Sequence, residues 1–120
     1  MLKLGQDIVI HVALQPVDMR RSINGLAVAV VDELNQQPQA QHVFVFRNKK
    51  RDKVKILLWD HNGYVVHYKR LERGRFHWPQ PSEDETELAL TRDELQWLLA
   101  GLDWQALRGF PDLQKRALQF

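Results

Sequence analysis

The stretch that decides the fold runs from Val43 to Pro79 and reads VFVFRNKKRDKVKILLWDHNGYVVHYKRLERGRFHWP. It contains three short runs rich in β-branched and aromatic residues, which favour β-strands. The runs are Val43 to Phe46, Val54 to Trp59 and Tyr64 to Tyr68. Because polar residues separate the runs, the stretch predicts a β-meander.

Two polar segments connect the three predicted strands. The first, Arg47 to Lys53, is too highly charged to bury, so we expect a solvated hairpin loop. The second, Asp60 to Gly63, contains an Asn-Gly pair, which tolerates the positive φ of tight hairpin turns. Successive strands are therefore expected to run antiparallel.

Side chains alternate along a strand, so the two turns assign each residue to one face of the sheet. One face is expected to carry Phe44, Phe46, Val54, Ile56, Leu58, Val65 and His67. The other face is expected to carry Val43, Val45, Lys55, Leu57, Trp59, Tyr64, Val66 and Tyr68. Both faces are largely apolar, whereas antiparallel sheets often leave one face to water. Each face therefore needs a cover.

The segments before the meander predict a strand and a helix. Ile8 to Leu14 predicts a strand, with Ile8, Ile10, Val12 and Leu14 on one side and His11 on the other. Asp18 is a predicted helix N-cap, and Met19 to Gln36 then carries apolar residues at helical spacing. We expect this helix to pack across the sheet and to cover one of its faces.

The segments after the meander predict a further strand and a shorter helix. Glu87 to Leu90 is a candidate strand, and Thr91 with Glu94 forms a capping box in front of an apolar helix ending near Leu102. Asp103 to Leu107 is compatible with one more turn of helix.

These elements predict an α+β fold. It consists of an antiparallel β-meander of four to five strands, with one long helix packed on it and a short C-terminal helix. We expect residues 1–102 to form a single domain. Residues 103–120 are expected to form a tail, a short helical turn followed by a loosely held segment.

Composition excludes several classes of protein. The chain has 120 residues and no cysteine, which rules out a disulfide scaffold, a thiolate metal site and a cysteine nucleophile. No segment approaches the roughly 18 apolar residues needed to span a bilayer. The first residues lack the apolar core of a signal peptide. We expect a cytoplasmic protein.

Charged residues are unevenly distributed, although the formal net charge is only +2. The segment from Arg47 to Arg75 contains ten Lys or Arg and three acidic residues. The segment from Ser82 to Asp103 contains seven acidic residues and one Arg. Such asymmetry indicates a nucleic-acid contact or self-association.

The basic segment predicts a DNA-binding surface. A protein gains affinity for DNA by neutralising phosphates and releasing their counterions. A two-stranded β-ribbon can enter the major groove, where Arg can bind guanine. The candidate DNA-binding residues are Arg47, Lys49, Lys50, Arg51, Lys53, Lys55, Lys69, Arg70, Arg73 and Arg75. The alternative is that these residues are solvated turn charges without a ligand.

Catalysis has little support in the sequence. Asp18, Asp60 and either Asp52 or Glu72 could bind a metal ion for phosphodiester cleavage. A helix cap, a turn and solvation among cations explain these carboxylates more simply. We therefore expect a protein that is not an enzyme.

Metal and cofactor sites are not indicated either. No histidine pair has a metal-ligand spacing such as His-Glu-x-x-His, no serine lies in a nucleophile elbow, and no glycine-rich loop precedes a helix. The histidines are His11, His42, His61, His67 and His77. We expect no metal ion and no cofactor.

Aromatic residues are frequent in the meander and after it. Trp59, Tyr64 and Tyr68 are expected on one face of the sheet, and Phe76 and Trp78 follow the last strand. Such rings could stack on the bases of single-stranded nucleic acid. Aromatic residues in apolar strands more often belong to a core, and we expect a core role here.

Three blocks of the sequence carry a resemblance to a known family. They are VDMRRSINGL from Val17 to Leu26, FVFRNKKRDKVKILLWD from Phe44 to Asp60, and YKRLERGRFHWP from Tyr68 to Pro79. In this order the blocks resemble the small accessory proteins encoded by the second reading frame of insertion-sequence-sixty-six elements. This family is often labelled TnpB, a name shared with an unrelated and much larger RNA-guided nuclease. The resemblance covers about Ile8 to Leu102.

The resemblance implies an accessory role in the transposition of a bacterial mobile element. It implies two protein partners, a separately encoded DDE-type transposase and a second small accessory protein of the same element. The family brings no accepted catalytic residues, so none is transferred to this chain.

Two hypotheses for the function remain open. In the first, the chain is a non-catalytic transposition accessory protein that contacts DNA through its basic β-hairpin. In the second, it is an adaptor without direct DNA contact. Its acidic segment, Glu83 to Glu94, would then bind the transposase or a second copy of the chain to form a homodimer.

Overall fold

The fold is built on one five-stranded sheet. The structure, a computed structural model, describes residues 4, 7–37, 42–80 and 85–107. Along the chain the elements are β1 (Val9–Ala13), α1 (Ile23–Asp32), β2 (His42–Arg47), β3 (Lys53–Asp60), β4 (Gly63–Arg70), β5 (Glu87–Leu90), α2 (Arg92–Leu99) and α3 (Trp104–Leu107). The strand order in the sheet is β4-β3-β2-β1-β5.

The predicted α+β class is confirmed, and so is the meander of β2, β3 and β4. β2 pairs antiparallel with β3, and β3 pairs antiparallel with β4. β5 pairs antiparallel with β1, but β1 and β2 are parallel, so the sheet is mixed. The parallel pair is possible because α1 lies between the two strands in sequence and carries the chain back across the sheet.

α1 is shorter than predicted, and its N-cap is Ser22 rather than Asp18. The Ser22 hydroxyl accepts a hydrogen bond from Gly25 N at 3.4 Å. The Asp18 carboxylate instead accepts from Arg20 N at 2.8 Å, and Asp18 O accepts from Arg21 N. The chain therefore makes a turn after Asp18 before the helix begins.

The predicted face assignment was wrong for β2, because the first hairpin loop has a different length. Asn48 N donates to Lys53 O, which leaves only residues 49–52 to turn the chain, with Arg51 at φ 61°. Phe44 consequently lies opposite Leu57. Phe44 and Phe46 therefore share a face with Leu57, and not with Ile56.

The second hairpin lies where the Asn-Gly pair predicted it, but a different residue has the positive φ. Asp60 pairs with Gly63, and His61 has φ 60°. Asn62 and Gly63 have no positive φ. The predicted relation between β3 and β4 is confirmed, since Leu57 lies opposite Val66 and Trp59 opposite Tyr64.

Both faces of the sheet are covered, as their apolar character required. On one face α1 packs against the sheet, and the buried cluster is Ala13, Val17, Leu26, Ala29, Val30, Leu34, Phe44, Phe46 and Leu57. On the other face α2, α3 and the segment after β4 form a second cluster with Ile10, Val12, Val43, Val45, Val54, Ile56, Phe76, Trp78, Leu90, Leu95, Trp97, Leu98 and Trp104. Phe76 and Trp78 are therefore core residues, as expected.

α2 begins at the predicted capping box. The Thr91 hydroxyl accepts from Glu94 N, and Glu94 Oε1 accepts from Thr91 N. The predicted last helical turn is α3, whose Trp104 is completely buried and donates from Nε1 to His77 O at 2.7 Å. Each helix that the structure describes is too short to span a bilayer.

Candidate nucleic-acid interface

The fold brings the two basic runs of the sequence together at one end of the sheet. Leu71 N donates to Asp52 O at 2.8 Å, and Phe76 N donates to Arg51 O at 2.7 Å. These bonds join the loop between β2 and β3 to the segment that follows β4. The cations of the loop and those near Arg75 therefore belong to one surface.

The β2–β3 loop is held in shape by its own side chains. Asn48 Oδ1 accepts from Asp52 N at 3.1 Å and from Lys53 N at 3.0 Å. Asn48 Nδ2 donates to Asp52 Oδ1 at 2.6 Å. This hydrogen bond, with smaller contributions from Lys53 and Lys50, lowers the pKa of the Asp52 carboxyl. The loop is thus a fixed platform for its basic residues.

Six of the ten predicted DNA-binding residues keep their charge free for a ligand. Within the described part of the chain, none of them makes an ion pair, a side-chain hydrogen bond or a ring contact. Four are exposed and two, Arg51 and Lys53, are half-buried. We call this surface the basic edge, defined as Lys49, Lys50, Arg51, Lys53, Arg73 and Arg75.

Arg47 was predicted to bind DNA, but the structure places it half-buried, with its side chain bound to the protein's own backbone. Its guanidinium donates to Leu14 O at 3.0 Å and lies 6.0 Å from the centre of the Trp78 ring. Burial lowers the pKa of Arg47, and the neighbouring Arg51 adds to this effect. Arg47 therefore braces the end of β1 against β2.

Lys55 and Lys69 also bind the protein's own backbone. Lys55 Nζ donates to Met19 O and to Arg21 O and lies 5.2 Å from the centre of the Tyr68 ring. Lys69 Nζ donates to Leu99 O at 2.6 Å, at the C-terminal end of α2. A cation stabilises this end of a helix because unpaired carbonyl groups accumulate there.

Arg70 forms an exposed ion pair with Glu72, at 3.1 Å. An exposed pair of this kind is weak, so a phosphate can compete for the guanidinium. Arg70 is nevertheless not part of the basic edge, because its charge is already balanced.

The carboxylates considered for metal-dependent cleavage lie in separate places. Asp18 pairs with Arg20 at 2.7 Å, Asp52 belongs to the β2–β3 loop, and Glu72 pairs with Arg70. The Arg20 side chain, as the principal cause, lowers the pKa of Asp18 to about 2. Among the residues that the structure describes, no group of three or more His, Asp or Glu side chains could hold a metal ion.

One polar cluster had no signal in the sequence. His11 Nε2 lies 2.7 Å from His42 Nδ1, and His11 Nδ1 lies 2.9 Å from Glu87 Oε2. Gln36 Nε2 donates to Glu87 Oε1, and the His11 ring stacks on Phe44. The cluster links β2, β1 and β5 through side chains. It depends on the parallel pairing of β1 and β2, which the sequence did not predict.

A cleft of about 360 Å³ opens beside the basic edge. The buried rings of Phe76 and Trp78 lie beneath it. Its other lining residues are Arg51, Arg75, His77, Gln80, Asp103 and Gln105.

The acidic segment is only partly an open surface. Glu94 is buried and belongs to the capping box, and Glu87 contacts His11. Asp93 is exposed. Glu83 and Asp84 lie outside the described residues. Of the acidic residues in this segment that the structure describes, Glu87 and Glu94 are therefore not available to a partner.

Comparisons with known proteins point to one family. A family model described as "IS66 Orf2 like protein" matches residues 8–109. Two proteins of Sinorhizobium fredii are similar to the chain. "Uncharacterized protein y4jC" is 40% identical over 102 residues, covering 85% of this chain and 86% of the relative. "Uncharacterized protein y4hO" is 35% identical over 105 residues, covering 88% and 90%. No solved structure matches.

Proposed function

Since the chain belongs to the IS66 Orf2-like family of transposition accessory proteins, we propose that it acts in transposition by binding DNA through its basic edge. The observation that carries this proposal is the joining of two separate basic runs into one surface by the hydrogen bonds to Asp52 O and Arg51 O. Each cation that meets a phosphate releases condensed counterions, which favours binding at low salt.

The number of cations without a partner in the fold determines how many phosphates the interface can contact. The six side chains of the basic edge can turn towards phosphates without breaking a hydrogen bond of the fold. Arg47, Lys55 and Lys69 would each have to leave a backbone carbonyl unpaired. Contacts to phosphates position a protein on DNA, and contacts to base edges give specificity. Of the residues at the edge, Arg51, Arg73 and Arg75 are suited to guanine.

The proposal is tested by removing part of the edge and measuring DNA binding by fluorescence anisotropy. The variant carries Lys49→Gln, Lys50→Gln and Arg73→Gln, all at exposed positions. We expect an unchanged free energy of unfolding and an affinity lower by about tenfold or more at low salt.

A control variant with the same change of net charge shows whether position matters. It carries Gln37→Glu, Asn62→Asp and Gln96→Glu, at exposed positions outside the basic edge. We expect it to bind DNA nearly as the wild type does. Equal losses in both variants would mean that only net charge matters and would refute the proposed surface.

A second proposal is that the chain associates with a second copy through α1. The side chains of Val28 and Val31 on this helix are 56% and 45% exposed. The exposed face of a helix usually carries polar side chains, so two neighbouring valines on it indicate a contact surface. Gly25 and Val28 also line a groove of about 400 Å³. A two-fold axis beside α1 would place Val28 and Val31 of two copies against each other and remove them from water.

Sedimentation equilibrium of the wild type and of a variant carrying Val28→Lys and Val31→Lys tests the second proposal. We expect a dimer for the wild type and a monomer for the variant. A monomeric wild type would remove this proposal and leave DNA binding untouched.

A further inference from the structure

The cleft beside the basic edge has the features of a small binding site. Its volume of about 360 Å³ falls within the range of roughly 300–1,000 Å³ found for ligand sites. Two cations, Arg51 and Arg75, line it, and the buried rings of Phe76 and Trp78 lie beneath them. The two arginines suit a ligand that carries an anionic group.

The remaining walls of the cleft are polar and carry hydrogen-bonding groups. Gln80 and Gln105 have both donors and acceptors, and the Asp103 carboxylate, whose Oδ1 accepts from Ala106 N at 3.5 Å, has further acceptor positions. The exposed His77 ring can stack on another ring. One aspartate and two arginines divide the lining by charge, because the carboxylate repels an anion but accepts hydrogen bonds from amino groups. One nucleotide matches this division, because its phosphate is anionic and its base edge forms hydrogen bonds.

Three separate segments of the chain are fixed around the cleft by hydrogen bonds. Phe76 N donates to Arg51 O at 2.7 Å, which holds the β2–β3 loop against the segment after β4. Trp104 Nε1 donates to His77 O at 2.7 Å, which holds α3 against the same segment. Because these contacts involve backbone groups and a buried indole, the cleft is formed before any ligand arrives.

We propose that the cleft binds one unstacked nucleotide of a DNA molecule held on the basic edge. Arg51 and Arg75 contact its phosphate, and its base lies against His77 with the base edge towards Gln80, Gln105 and Asp103. This inference rests on the proposed function, because the edge delivers the DNA. A base inside a duplex is not accessible to such a site, so the preferred DNA has an unpaired nucleotide, at an end or at a distortion.

The inference is tested with two duplexes of equal length and charge. In one, a terminal 2-aminopurine is paired, and in the other it is unpaired because the opposite position is a mismatch. We expect the wild type to bind the mismatched duplex about tenfold more tightly, with a change in 2-aminopurine fluorescence on binding.

Two variants connect the preference to the cleft. Gln105→Trp fills the cleft from an exposed position, and His77→Ala removes the ring from its wall. Either variant should lose the preference and keep the affinity for the fully paired duplex. Lys50→Ala is the control, and it should weaken both duplexes equally.

The outcomes separate this inference from the proposed function. Equal affinity of the wild type for the two duplexes would overturn the nucleotide site and leave the basic edge intact. An unchanged preference in both cleft variants, each shown to fold by circular dichroism, would also overturn it. Failure to bind either duplex at low salt would refute the proposed function itself, and the nucleotide site with it.

Discussion

Lys53 and Lys55 lie on the same strand and face of the sheet, and the structure gives them different roles. Lys55 Nζ donates to Met19 O and Arg21 O, the latter at 3.1 Å, and lies over the Tyr68 ring. Lys53 has no such partner among the described residues. Replacing each lysine by Met keeps an unbranched side chain of nearly the same length and removes the ammonium group, with its charge and its hydrogen-bond donors. The pair of variants therefore separates a structural cation from one that is available to DNA.

We expect Lys55→Met to lower the free energy of unfolding by about 2–3 kcal/mol. Two hydrogen bonds from a charged donor contribute on the order of 1.5–3 kcal/mol each. The contact with the ring adds roughly 0.5–1 kcal/mol. The sum is reduced because Lys55 is only half-buried, so water can replace part of what is lost. For Lys53→Met we expect a change within about 0.5 kcal/mol.

Urea denaturation followed by tryptophan fluorescence measures these changes. A loss of about 2 kcal/mol lowers the midpoint by roughly 1 M, since the slope for a small domain is about 1–3 kcal/mol per M. DNA affinity should show the opposite pattern. Lys53→Met should weaken DNA binding because it removes a phosphate contact, and Lys55→Met should not, because it removes none. Lys53→Met should reduce the salt dependence of binding by about one unit of slope. Equal stabilities of the two variants would refute the distinction between engaged and free cations.

Three further predictions concern the fold itself. The Asp18 carboxyl should titrate near pH 2 by NMR. Because folding lowers its pKa from 3.8, its stabilising effect is complete above about pH 4 and is lost as the pH falls towards 2. Arg20→Ala should return the pKa of Asp18 towards 3.8. Thr91→Ala should cost about 1 kcal/mol in urea denaturation, because it removes the hydroxyl that accepts from Glu94 N, and no loss would contradict that capping role. Trp104→Ala should cost about 3–5 kcal/mol, because a completely buried ring and its bond to His77 O are lost; a small cost would show that α3 is a dispensable tail.

Local chemistry made much of the fold predictable. The runs that became β2, β3 and β4 are rich in β-branched and aromatic residues, and the capping box of α2 depends on two residues three positions apart. The face of β2 was not predictable in the same way. It depends on how many residues turn the chain, and the Asn48 side chain and the positive φ of Arg51 decide that number. Because side chains alternate along a strand, this loop length placed Phe44 on the face opposite to the predicted one.

The candidate interface was predictable only in composition. The sequence identified the basic residues, but it could not show which of them bind the protein's own backbone. Lys69 is occupied by a carbonyl 30 residues away, and Lys55 by one 36 residues away. Such contacts follow from tertiary packing and leave no periodic pattern. The hydrogen bond from Phe76 N to Arg51 O joins the two basic runs and forms the cleft. For the same reason it had no signal in the sequence.

The salt dependence of DNA binding tests the central claim most directly. We would measure the affinity of the wild type for a duplex between 50 and 200 mM salt. Six phosphate contacts at about 0.9 each predict a slope of about −5 for the logarithm of the binding constant against the logarithm of the salt concentration. A slope near zero, or no binding at the lowest salt, would contradict a surface of free cations that binds the DNA backbone.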